Sequence, residues 1–81
     1  MITYYVVQSF SQGRRGILIA GEPRQVPSQR QCEALAERLA EEAVAVVAFS
    51  RTGDPKTGDW EDAVVISQFG RIPDDVMEMA G

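Results

Sequence analysis

The sequence predicts an α+β domain of ββαββ order, a two-layer sandwich in which one helix lies across one face of a four-stranded, mainly antiparallel sheet. Three observations carry this reading. A single helical stripe runs through the middle of the chain, apolar β-branched runs stand in pairs on either side of it, and dense turn chemistry separates the members of each pair. The alternatives are bounded by composition. At 81 residues and 44% hydrophobic content the chain has enough apolar material for one domain and is not a disordered tail. It is nonetheless small, burying only about 60–65% of its extended surface, so a lone protomer is expected to be marginally stable.

The first strand is expected over residues 3–10, TYYVVQSF, which is rich in β-branched and aromatic residues and has no helical stripe. Ser11, Gln12, Gly13, Arg14 and Arg15 carry turn chemistry, with Gly13 free to take a positive φ, and a second strand follows over 16–20. Gly21-Glu22-Pro23 ends that strand, since proline cannot donate to a ladder, and 24–27 then leads into the helix. The helix is expected over 28–42. Cys32, Leu35, Ala36, Leu39, Ala40 and Ala43 recur at the helical period, and Ser28 with Gln31 three residues on has the form of a capping box. Glu33, Glu37 and Glu41 line an exposed face, and Glu41 and Glu42 sit unfavourably at the negative helix end.

Val44 to Arg51 reads as a third strand because valines and Phe49 precede a strong turn, Thr52 through Asp59, with two glycines and an Asp-Pro. A fourth strand is expected over 60–69, and Pro73-Asp74-Asp75 opens a short turn over 73–79 that carries Val76, Met77 and Met79. If the strands follow the order 2-1-3-4, the two richest are central.

Function is less legible. One cysteine and no histidine exclude an internal disulfide, a Cys/His metal set and imidazole chemistry, so no metal, cofactor or catalytic constellation is expected. Asp54, Asp59 and Asp62 lack calcium-loop register and read as turn residues. Cys32, on the apolar stripe, reads as a small buried hydrophobe rather than a reactive thiol. No apolar run approaches twenty residues, and MITYYVVQSF lacks a basic n-region and a cleavage site, so a cytoplasmic protein without a membrane partner is expected. The net charge of −4 argues against nucleic acid as a partner. That charge is uneven, with Arg14, Arg15, Arg24 and Arg30 against Glu22 in residues 1–30 and four cations against eleven acids in the remainder.

The pattern most relevant to function is poor alternation. Tyr4 and Val6 oppose Tyr5 and Val7, Val44 and Val46 oppose Val47 and Phe49, and Val64 and Ile66 oppose Val65 and Phe69, so both sheet faces are apolar and one helix covers only one of them. Self-association as a homodimer through the uncovered face follows as the expectation, in a protein–protein interaction or regulatory module. The alternatives are that Val76, Met77 and Met79 of the chain's own C-terminal turn fold back over that face, or that strand twist shields it. A rival function is phosphate or nucleic-acid binding by the Arg14/Arg15 hairpin tip and the 50–59 loop. Within that loop Arg51, Thr52, Asp54 and Lys56 are the candidate binding residues, with Trp60 beside them as an anchor or as the lid of the strand-end core. An enzyme ranks third.

The stretch YYVVQSF resembles the first strand of SPOR peptidoglycan-binding domains, in which a helix follows that strand directly; here a hairpin intervenes. The wider pattern YYVVQSF, AFSRTGDPKTGDW and FGRIPDD resembles small bacterial proteins of one-domain length, a likeness that implies a fold and brings no activity.

Overall fold

The computed structural model describes residues 1–70. It is α+β, with strands β1 (Ile2–Gln12), β2 (Leu18–Ala20), β3 (Arg24–Val26), β4 (Ala45–Asp54), β5 (Asp59–Trp60) and β6 (Val64–Phe69), and one helix, α1 (Gln29–Leu39), between β3 and β4. All strands join one curled antiparallel sheet in which β1 and β4 are central. β2 and β3 both pair with the outer side of β1, and β5 and β6 both pair with the outer side of β4. The 2-1-3-4 order expected from sequence is therefore the order found, with each flanking strand divided in two.

Each division has a local cause. Residues 24–26, read from sequence as a linker, pair with β1 from Val7↔Arg24 to Tyr5↔Val26, because Val26 gains a place in the core beside Tyr5. Pro23 stands just before this strand, where its missing N–H breaks no ladder bond. The strand expected over 60–69 is interrupted at 61–63, although Glu61 N–H still donates to Thr52 O at 2.8 Å. A bulge between Ala48 and Phe49 then shifts the β4–β6 register. That extra residue overturns one expectation: Phe69 does not oppose Ile66, since both pack on the helix side.

The hairpin β1–β2 turns through a short 3-10 segment, Arg14–Gly16. Its left-handed residues are Arg15 (φ 60°) and Gly16 (φ 75°), whereas Gly13 keeps φ −93°. The second strand starts later than expected because Gly16 belongs to this turn.

Ser28 caps α1, its Oγ accepting from Gln31 N–H at 3.3 Å. The reciprocal arm of the capping box is replaced by Ser28 Oγ donating to Gln31 Oε1 at 3.2 Å. The regular helix stops at Leu39, short of 42, and a last turn follows in which Ala43 N–H donates to Leu39 O. Glu41 and Glu42 occupy that turn, where acid side chains meet the negative helix end.

Two apolar clusters result. On the helix side Val7, Cys32, Leu35, Ala36, Val46 and Ala48 are buried together, with Tyr5, Ile66 and Phe69 packed around them. On the opposite side Phe10, Ala45, Val47 and Phe49 form a second buried group with Val6, Leu18 and Ala63 at its margin. The sheet is thus apolar on both sides, as its poor alternation implies. The expected turn over 73–79 lies outside the described residues.

Candidate functional site

Strand register brings three of the sheet's larger polar and aromatic side chains together at one end. Tyr4 on β1 is the cross-strand partner of Arg51 on β4, and Gly53, two residues on, is the partner of Trp60 on β5. Residues two apart share a face, so all of these lie on the side away from α1. The Tyr4 and Trp60 rings stack with centroids 5.6 Å apart and planes 27° apart. The Arg51 guanidinium carbon stands 5.6 Å from the Trp60 ring centroid, within cation–π range. Trp60 remains 37% exposed, more than the lid of a strand-end core would be. Arg51 is half-buried, and its Nε, fully shielded from solvent, has no hydrogen-bond partner among the described residues.

Gly53 makes this arrangement possible. A Cβ there would come within 2.6 Å of Asp59 O and closer still to the Trp60 ring, so the indole rests where any other side chain would stand. Glycine is required here for close approach, not for turning.

The remaining candidates do not converge. Thr52 points to the other face, its Oγ1 2.9 Å from Thr3 Oγ1, so adjacent positions on one strand prevent Arg51 and Thr52 from gripping one ligand together. Asp54 accepts the Lys56 N–H at 2.9 Å, Thr57 Oγ1 accepts the Asp59 N–H at 3.3 Å, and Gly58 N–H donates to Asp54 O at 2.8 Å. What reads in sequence as a long polar loop over 50–59 is therefore strand on both sides of a tight turn at 55–58, and Asp54 is occupied in building it. Lys56 is exposed on that turn. Arg14 and Arg15 are exposed at the opposite end of β1, on the order of 30 Å away at ~3.3 Å per residue. The basic tip and the 50–59 segment do not form one surface.

Tyr4 is the member of the cluster that sequence reading missed. The signal was present, because Tyr4 has the parity of Val6 on the far face, but its meeting with Arg51 depends on a register between strands more than thirty residues apart. Cys32 is buried, with its Sγ 3.5 Å from Val6 O, and burial with help from the adjacent Glu33 pushes its pKa above 9.0. It is a packed thiol held protonated. A cleft of about 200 Å3 between β1 and the end of α1, lined by Ser9, Ser11, Leu39 and Glu42, is smaller than the ~300 Å3 lower bound of ordinary ligand pockets. Among the described residues no group of acids and cysteine is placed to hold a metal ion, and no helix is long and apolar enough to cross a membrane. Comparison with family models, curated proteins and solved structures finds no match to this chain.

Proposed function

We propose that this chain is a small cytoplasmic interaction module that associates with a second copy of itself, and that the contact is made along the β6 edge. The carrying observation is an asymmetry between the sheet's two margins. At the β2/β3 margin the edge is interrupted by Gly21-Glu22-Pro23, tied back by Gln8 Nε2 donating to Gly21 O, and marked by Arg24. Such interruptions and charges are what keep an edge from pairing with another chain. The other margin is also divided, by Glu61, Asp62 and Ala63 between β5 and β6, but β6 itself, VVISQF, is six residues long with no charge and no proline, and among the described residues it pairs only with β4.

Exposed apolar side chains stand at both margins, with Ile17 and Ile19 at 63% and 52% beside the three-residue β2 and Val64 and Val65 on the longer β6. The centre of the far face is satisfied within one protomer, with Val47 at 0% and Phe49 at 8% exposure, whereas Val64 and Val65 on β6 are 62% and 43% exposed. Antiparallel pairing of two β6 strands about a two-fold axis would extend the sheet and cover these valines. A six-residue edge falls short of the ~800 Å2 per partner of a stable interface, so association in roughly the micromolar range is expected.

Light scattering across a concentration series is the test. Native protein should move from 8.9 kDa toward twice that mass, and Val64→Lys with Val65→Lys should hold it at the lower value with an unchanged circular dichroism spectrum. A native species that stays at 8.9 kDa throughout, or a double-lysine variant that associates as well as the native chain, removes the proposal. Phosphate or nucleic-acid binding is less well supported, because its two basic patches stand at opposite ends of β1.

A further inference from the structure

We infer that the Tyr4–Trp60–Arg51 cluster is a docking platform for an extended, proline-rich peptide that carries a basic residue. The platform is built into the sheet. Trp60 is seated against Gly53, flanked by the Tyr4 ring and by the Arg51 guanidinium, and still exposes more than a third of its surface. An aromatic pair fixed in this way offers flat apolar area at little entropic cost, and tryptophan, tyrosine and arginine are the residues on which binding energy concentrates.

The chemistry of the surround selects the occupant. The side chains of the platform are rich in hydrogen-bond donors: Arg51 and the Trp60 indole donate only, and the Tyr4 hydroxyl can donate. A proline-rich segment in the polyproline II form presents pyrrolidine rings, which pack on aromatic faces, and backbone carbonyls with no internal partner. The chain just after Trp60, the platform's rim, is acidic, with Glu61 and Asp62 both exposed, whereas Asp59 alternates with Trp60 on β5 and faces the other side of the sheet. Glu61 and Asp62 outnumber Arg51, the one cation of the platform, while Asp54 and Lys56 belong to the turn at 55–58. That balance repels phosphates and polyanions and favours a lysine or arginine on the incoming chain. A neutral sugar could stack on the rings but would draw nothing from the rim. The platform lies on β1, β4 and β5, so it is separate from the β6 contact and stands or falls independently of it.

Trp60 is the sole tryptophan, and its emission reports directly on the platform. The full chain is titrated with a synthetic polyproline peptide ending in arginine, with the same peptide ending in glutamate, and with a neutral cello-oligosaccharide. The arginine peptide should give a saturable change, and the glutamate peptide should bind about tenfold more weakly. Glu61→Lys with Asp62→Lys, both exposed and outside the cluster, should weaken the arginine peptide by a similar factor at unchanged thermal stability. Tyr4→Leu, which keeps apolar bulk on β1, should also weaken it. No saturable response at millimolar peptide, equal binding of the two peptides, indifference to the rim reversal, or a saturable response to the sugar would each overturn the inference.

Discussion

Substituting Gly53 by alanine tests the reasoning about the platform most directly. The added methyl would stand within 2.6 Å of Asp59 O and nearer still to two Trp60 ring carbons, so the indole has to lift and the β4–β5 pairing at Gly53↔Trp60 has to open. A tryptophan side chain buries on the order of 150–250 Å2 when covered, and releasing roughly 80 Å2 of it at ~25 cal/mol per Å2 costs about 2 kcal/mol. Overpacking substitutions in well-filled sites cost ~1–3 kcal/mol, which agrees. For a domain of this size the midpoint of thermal unfolding should fall by roughly 10 °C. The assay is thermal circular dichroism together with the emission maximum of Trp60, which should shift to the red as the ring becomes wetted. Gly58→Ala supplies the contrast. Its φ is +78° and a Cβ there meets nothing within 4 Å, so it should lose only ~1–2 kcal/mol from backbone strain and leave the emission unmoved. A Gly53→Ala protein with native midpoint and native emission would refute the claim that this glycine exists to seat the indole.

Other outcomes follow from the same packing. Gly70→Ala combines a φ of +77° with a Cβ pressed into the Val44 carbonyl and 3.0 Å from Ala45 Cα, so it should destabilise by ~2–3 kcal/mol in urea unfolding, more than Gly58→Ala. Ser28→Ala removes the only side-chain cap of α1 and should cost about 1 kcal/mol by the same measurement. Cys32 has a pKa raised in the folded state, so the folded chain holds the thiol proton more tightly than the unfolded one. Its contribution is intact below the ordinary thiol value of 9.0 and is lost as pH rises toward the folded value, so the native chain should lose more stability above pH 9.0 than Cys32→Ala does. Native protein should likewise react with a thiol reagent only as fast as it unfolds.

The central elements were legible because their side chains state their own environment. The β1 and β4 runs are apolar on both parities, which suits strands flanked on each side, and the α1 stripe from Cys32 to Leu39 repeats at the helical period. What escaped depends on pairing. Arg24-Gln25-Val26 has no strand pattern of its own and becomes β3 only because β1 offers it a ladder. Phe69 was assigned to the wrong face because the bulge opposite Ala48 and Phe49 leaves no mark in composition. Gly53 reads as one more turn glycine until Trp60 is seen lying against it. The Tyr4–Arg51 meeting likewise needs the register of two strands that local sequence does not specify.

The long β1–β4 ladder also shapes how the protein comes to exist. Its nine registered pairs run from Phe10↔Ala45 to Ile2↔Gly53, so even the nearest pair is separated by residues 11–44. On a ribosome adding ~5–20 residues each second, TYYVVQSF waits several seconds for its principal neighbour. During that interval its only ladder partners are the six residues of β2 and β3, and one full edge of an aromatic, β-branched segment stands open. A strand that ends in the centre of the finished sheet is thus the most adhesive while the chain is being made. Yield in cells should therefore respond to synthesis rate and to chaperone supply more than the stability of the folded protein would suggest.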